Sequence, residues 1–269
     1  MVIGKRQIVK NLFLTACFIF LSGCFNSKKD LFNNDIFDSS GMITHRIKDK
    51  KGCATNKYLL ILSPENDEPQ WYIRSENNIR RIVNVPATFQ YIDKIKASAD
   101  GKFMAILSYG EGHPLITVID TEKLLDNEPS VIQEIDPYPG TVDLKHWSNV
   151  YLHISSDMLL THKTDSDGRV PAELMLFSEK EFIFNPWSGE ITSGSEDIKD
   201  PAQYYSQHLV GNPSEVSPIA ELEALAYLKD SDAISYLKKA LTMKKYFQHA
   251  TKIKKLISSL QIKRSHDKK

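Results

Sequence analysis

Cysteine is scarce in this chain, with three residues in 269, at positions 17, 24 and 53. A fold held by several disulfides is excluded, so packing must carry the stability. Catalytic signatures are missing as well. No Gly-x-Ser-x-Gly elbow, His-Glu-x-x-His pair, phosphate loop or dinucleotide fingerprint occurs. That absence favours a non-enzymatic protein with no cofactor. Neither sign of charge dominates, since 34 basic residues meet 34 acidic ones. No nucleic-acid motif accompanies the basic residues, so that partner is not expected. The Asp165-Ser166-Asp167-Gly168 run begins like a calcium loop, but no acidic ligand stands at the expected end, and it reads as a turn. No bound metal is expected.

One short apolar run stands out at the start. Lys5, Arg6 and Lys10 precede Leu12 to Leu21, which is too short to cross a bilayer comfortably, a task for about 20 residues. Leu21-Ser22-Gly23-Cys24 closes the run and resembles the lipobox of bacterial lipoproteins. The resemblance implies a signal peptide over 1–23, a diacylglyceryl thioether on Cys24, cleavage before it, and acylation of the new amino terminus. An uncleaved anchor, a buried helix and an ordinary secretory signal are the alternatives. One acyl chain holds a protein only marginally, whereas three on one residue make attachment effectively permanent. Phe25, not Asp, follows the cysteine, which points to the outer membrane, facing the periplasm; the inner membrane and the cell surface are the other placements.

Removing residues 1–23 leaves 246 residues and takes three basic charges with it. The remaining charge is uneven. Lys229 to Lys269 holds twelve Lys or Arg against Asp230, Asp232 and Asp267, so the body before it is acidic. A basic tail can meet lipid headgroups, an acidic partner or the body itself, and a solvated helix face is the plainer reading. Cys53, in a polar stretch between two expected strands, is expected to remain as a lone thiol.

Residues 24–42 are rich in Asn, Asp, Ser and Lys and read as a lipidated tether. From 43 to 195 short runs of Ile, Val, Leu, Tyr and Phe alternate with turn clusters, which predicts an all-β domain. Expected strands are 58–63, 71–74, 79–85, 103–109, 115–119, 131–135, 150–154, 158–162, 174–177 and 182–184, with a helical turn at 121–125. A strand–loop–strand repeat starts at Lys57, Lys102 and Asp157. Its spacings, about 45 and 55 residues, fall near the range of propeller blades. Ser98-Ala99-Asp100-Gly101-Lys102 resembles the turn before inner strands of bacterial β-propeller blades, and Phe182 to Ile191 resembles an outer strand and exit turn. The resemblance implies a partial or small propeller, with a β-sandwich as the alternative.

After about residue 200 the pattern turns helical, giving an α+β chain whose β domain precedes a C-terminal helical cap over 200–262 and a frayed basic tail at 263–269. Residues 219–241 resemble a single HEAT-type helical hairpin, and Phe247, Ile253, Leu256, Ile257 and Leu260 continue an amphipathic helix. Candidate contacts for a ligand or an envelope protein partner are Trp71, Trp147, Trp187, Lys244, Lys245 and Lys252. His146, His153 and His162 could meet in space, and Glu111, Glu173, Glu179 and Glu181 could pair as carboxylates. The expected role is a membrane-anchored protein-interaction platform. Glycan or small-ligand binding, or an envelope hydrolase with a scattered site, is the alternative.

Overall fold

The chain is described by a computed structural model over residues 35–37, 42–49, 51–62, 69–76, 78–164, 169–210, 219–228 and 232–266. The signal segment, Cys24, nearly all of the expected tether and the Asp165–Gly168 loop lie outside the described residues.

Strands form three antiparallel sheets, each a meander in chain order. The first contains β1 (Asp35–Phe37), β2 (Met42–Lys48), β3 (Ala54–Leu62), β4 (Gln70–Ser75) and β5 (Asn78–Arg81). The second contains β6 (Tyr91–Ala97), β7 (Phe103–Gly110), β8 (His113–Asp120) and β9 (Val131–Ile135). The third contains β10 (Val142–Ser148), β11 (Tyr151–Met158), β12 (Met175–Asn185) and β13 (Glu190–Ser193). Three meanders in sequence, of five, four and four strands, are blade-like, and a two-sheet sandwich is not what the strands build. The ring is not closed, because a propeller needs about four blades or more.

Packing of the middle sheet shows why the order matters. Phe103 to Leu107 is apolar without interruption because both faces of β7 are buried. Met104, Ile106 and Ile119 pack towards the first sheet with Ile43, Leu59, Ile61, Trp71 and Ile73. Ala105, Leu107, Ile116 and Val118 pack towards the third sheet with Leu144, Leu152, Ile154 and Phe182. Side chains alternate across a strand, so one run serves two interfaces.

Turns at one end of the sheets also interlock. Ser98 Oγ donates to Asp100 Oδ1 at 2.7 Å and accepts from the Phe103 amide at 3.0 Å, while Asp100 Oδ1 accepts from the Lys102 amide at 3.1 Å. Gly101 has φ +69°, the left-handed conformation this tight turn requires. Gly52, at φ +75° in the β2–β3 turn, lies so close to the Ala99 carbonyl that a Cβ would sit 2.1 Å from its oxygen. The Ala99 amide in turn donates to the Asn149 carbonyl of the β10–β11 turn at 3.4 Å. The β2–β3, β6–β7 and β10–β11 turns thus touch in succession.

Several expectations need correction. β1 falls inside the stretch read as tether. The segments 150–154 and 158–162 are one strand, β11, followed by a turn, and 174–177 and 182–184 are parts of the single strand β12. The third repeat is therefore offset, its second and third strands joined by the long 159–174 connection. β5 ends at Arg81, short of the expected 85. Strands β6, β10 and β13 were not expected.

Helices follow the sheets. α1 (Thr121–Leu125) is capped by Asp120, whose carboxylate accepts from the Glu122 and Lys123 amides. At the C-terminal end come α2 (Pro201–Val210), α3 (Ala220–Leu228), α4 (Ala233–Ala240) and α5 (Ala250–His266). Leu222, Leu225, Leu237, Ile253 and Leu260 join Leu159, Leu160 and Leu174 in one core continuous with sheets two and three. The expected apolar stripe begins later than the sequence suggested. Phe247 lies in a short 3-10 segment, Lys244–His249, and is 62% exposed. The tail expected to fray is helical as far as His266. No helix among the described residues is long and apolar enough to cross a membrane.

Cys53 is disulfide-bonded, contrary to its expected role as a lone thiol. The other cysteines of the sequence, Cys17 and Cys24, lie outside the described residues.

Candidate functional site

At the end of the sheets carrying the β7–β8 and β9–β10 connections, five side chains converge. A hairpin turn with Glu111 at φ 54° and Gly112 at φ 81° delivers His113 to the mouth of β8. Asp136 directly follows β9. Its Oδ1 lies 2.6 Å from His113 Nε2 and accepts from the Tyr138 amide at 2.9 Å. Tyr138 then stacks on the His113 ring, with centroids 5.0 Å apart, and Phe89 meets the other side edge-on at 5.2 Å. The Arg169 guanidinium lies 4.7 Å from the Tyr138 ring centroid. Phe89 is itself fixed by its amide, which donates to Ser108 Oγ at 3.0 Å.

Beside this cluster runs a cleft of about 650 Å³. Five consecutive residues of β9, Val131 to Ile135, form one wall, and Phe89, Leu115, Leu160, Val170 and Ile191 supply apolar surface. β9 is the last strand of its sheet, and among the described residues no strand pairs with its outer side. An unpaired strand edge beside apolar walls can receive an extended chain by main-chain hydrogen bonding. The neighbouring His–Asp pair and aromatic rings add a polar anchor and a stacking surface.

Composition and motif reading missed His113, Asp136 and Phe89. A usable signal existed in the Gly110-Glu111-Gly112-His113 and Asp136-Pro137-Tyr138-Pro139-Gly140 runs, where turn residues at strand ends carry groups capable of chemistry.

The expected contact residues do not come together at this cleft. Trp71 is 1% exposed and belongs to the core between sheets one and two, so its assignment as a contact is corrected. Trp147 is half-buried, stacks near Phe103 at 6.2 Å and donates its indole N–H to the Lys96 carbonyl at 2.8 Å. Trp187 is 61% exposed, meets Phe103 edge-on and holds the Lys102 ammonium 3.7 Å from its ring centroid. Asn185 builds the turn that presents it, its Oδ1 accepting from the Trp187 amide at 3.0 Å. Lys245 lies over the Tyr246 ring at 5.0 Å, Lys252 pairs with Glu223, and Lys244 opens the 3-10 segment.

Of the three histidines that could meet in space, two do. His146 and His153 stack with centroids 4.3 Å apart, and His153 Nδ1 lies 2.6 Å from Glu181 Oε1. His162 is elsewhere, edge-on to Tyr227 of α3, and burial holds its imidazole below the usual value. Among the described residues no group of three or more His, Cys, Asp or Glu could hold a metal ion.

A charged network links the inner strands of sheets two and three. Lys94 Nζ donates to Asp143 Oδ1 at 2.8 Å, Lys145 Nζ to Asp143 Oδ2 at 3.0 Å, and Lys145 Nζ lies 3.3 Å from Glu179 Oε1. Burial pushes the Asp143 carboxyl up, but hydrogen bonds from Lys94 and Lys145 outweigh it and hold the group below its ordinary value. Glu179 is lowered by the hydroxyl of Ser155 and then by Lys145. A lowered folded-state value means stability present above the ordinary carboxylate range and lost as pH falls through that range towards the folded value. These side chains are a third or more exposed, so Asp143→Asn is expected to lower stability at pH 7 by no more than about 1 kcal/mol. Urea unfolding repeated near pH 3 should show that difference shrinking; an undiminished difference would rule out charge as its cause.

These sheets and this cleft define a blade-type β protein with a helical cap. No known protein family matches the chain, and no curated protein does. Solved structures similar to it include TolB from Acinetobacter baumannii, at 15% identity and a TM-score of 0.30, over 51% of this chain and 29% of that one. The β-propeller domain of the Trilobed protease from Pyrococcus furiosus aligns at 12% identity and 0.34, over 57% and 43%. The acylaminoacyl peptidase of Pyrococcus horikoshii aligns at 13% and 0.33, over 57% and 25%. The chain therefore spans less than half the length of each, and likenesses this distant carry no functional argument.

Proposed function

We propose that this chain is a lipid-anchored platform of the bacterial envelope, without enzymatic activity, that holds an extended segment of an envelope protein along β9. The anchor is Cys24, and the platform faces the periplasm from the outer membrane. The observation that carries the docking role is the cleft, in which an unpaired sheet edge forms one wall and apolar side chains the others. Main-chain hydrogen bonds along such an edge supply affinity, and alternate side chains entering the apolar wall supply selectivity.

A photocrosslinking side chain placed at Val131, 43% exposed in the cleft wall, tests this in living cells. The expected result is one envelope protein, named by mass spectrometry, captured from Val131 but not from Tyr151, which is exposed on the third sheet. Equal capture from both positions, or none, would sink the docking role. Anchoring is read separately. The membrane-bound chain should begin at Cys24 and carry the mass of its acyl groups, and Cys24→Ser should release it from the membrane. An unacylated mass would reject the anchor.

The stacked His113–Tyr138 pair favours a second reading, binding of a glycan or small ligand. Loss of ligand binding in Tyr138→Ala, with no protein captured at Val131, would select it.

A further inference from the structure

We infer that two copies of this chain join end to end, the outer face of the first sheet on the outer face of the third, to close a ring of six sheets. The inference goes beyond the platform reading and holds whether or not Cys24 is acylated.

The middle sheet shows how this fold covers a sheet: it lays another one on each face. Among the described residues, the other face of each terminal sheet is not covered by a further sheet. Strand register identifies the residues on it. In the first sheet Ile43, Leu59, Ile61, Trp71 and Ile73 point inward, so Arg46, Tyr58, Tyr72, Arg74 and Arg81 share the outer face with Leu60, which is buried among them. Arg46 and Arg74 lie 5.8 and 4.9 Å from the Tyr58 ring centroid. In the third sheet Leu144, Leu152, Ile154 and Phe182 point inward. The outer face then presents His146, His153, Ser155, Glu179 and Glu181, with Lys145 Nζ 3.3 Å from Glu179 Oε1, while Asp143 is held by Lys94 of the second sheet. The Glu179 and Glu181 side chains are about half exposed. α3 packs against the 3-10 turn Ala172–Leu174, and Tyr204 of α2 meets Phe177 at one end of β12, leaving these two glutamates solvent-accessible.

One end thus carries arginines and tyrosines, the other two glutamates and two histidines beside a single lysine, Lys145. Complementary charge selects a second copy and sets the polarity of the joint, first sheet to third. Area then decides between a closed pair and an open chain. Strands about 4.8 Å apart, with about six residues at about 3.3 Å each, give a four-strand face of about 400 Å². A single joint would bury only about 800 Å², the range of incidental crystal contacts. Two copies making both joints would bury about 1,600 Å², the size of a stable specific interface. Six sheets lie within the about four to eight blades of known propellers.

The test uses full-length chain extracted in mild detergent, with mass read by native mass spectrometry and folding checked by circular dichroism. Wild type is expected to be a dimer. In one variant, Arg74→Glu with Arg81→Glu makes both ends acidic; in the other, Glu179→Lys with Glu181→Lys makes both ends basic. Like charges then oppose at every joint, and each variant alone should associate about a hundredfold more weakly and run as a monomer. Mixed together, an all-acidic and an all-basic copy should close a heterodimer. Recovery of that heterodimer distinguishes a charge-directed joint from damage to the fold. A monomeric wild type at tens of micromolar, variants that remain dimeric, a mixture that stays monomeric, or assemblies that keep growing with concentration would each overturn the inference.

Discussion

Trp71→Ala should lower the folding free energy by about 3–5 kcal/mol, the cost of emptying an aromatic-sized space in a packed core. The indole shares a core with Ile43, Ile61 and Ile73 of its own sheet, Ile82 just after β5, and Met104 and Ile106 of the next sheet. It pairs with Ile61 across the β3–β4 ladder, and its carbonyl accepts from the Ile82 amide at 2.8 Å. Removal therefore leaves a hole at the joint between two sheets, where neither can move without disturbing its own ladder. Trp187→Ala gives the contrasting result. Its ring is largely solvated, so truncation should change stability by less than about 0.5 kcal/mol. Urea midpoints for the two variants check the pair. Similar losses would mean that Trp187 packs more firmly than its exposure indicates.

Tyr246→Phe should lower stability by about 2–3 kcal/mol, although it deletes a single oxygen. Glu221 of α3 is 2% exposed, and its Oε2 accepts a hydrogen bond from Tyr246 Oη at 2.7 Å. Burial, and then this glutamate, pushes the phenol well above its ordinary range, so it stays a donor at every accessible pH. Without it the carboxylate stays buried and loses a strong partner. Relief should come from the second site. Tyr246→Phe combined with Glu221→Leu removes both groups and should recover most of the loss, because an apolar pair of similar size is not penalised by burial. Thermal melts of the single and double variants measure the coupling directly. No recovery would mean that Glu221 has another role in holding the helices.

Strands with an apolar run were legible in the sequence, and those broken up by charged residues were not. β7 and β8 are apolar throughout because both faces are buried, and β9 was bounded correctly at Val131–Ile135. β6 reads Tyr-Ile-Asp-Lys-Ile-Lys-Ala, and β10 reads Val-Asp-Leu-Lys-His-Trp-Ser. Their charged residues face one another across adjacent sheets, as Lys94 does with Asp143, so neither shows an apolar run. The split of β12 has a similar origin. Ser178, Glu179 and Lys180 interrupt its apolar pattern opposite an irregularity in β11, yet the strand continues through them. The cleft was illegible for a further reason. Its cluster joins residues 89, 113, 136, 138 and 169, which come from four connections, and only sheet stacking brings them together.

Among the described residues, every strand pairs only with its immediate neighbours in sequence. Each ladder closes a short loop, so little chain entropy is lost before contacts form, and assembly is expected to be fast for a β protein. Growth also has a direction. The first sheet can form its ladders as soon as its residues emerge, but its inner apolar face waits for Met104 and Ile106 of the second. The second waits in turn for Leu144 and Ile154 of the third, and the third for the helices that complete its core. A chain that arrives amino terminus first thus carries one exposed apolar face forward until α5 docks, and the last helix to appear ends the period in which the chain is prone to aggregate.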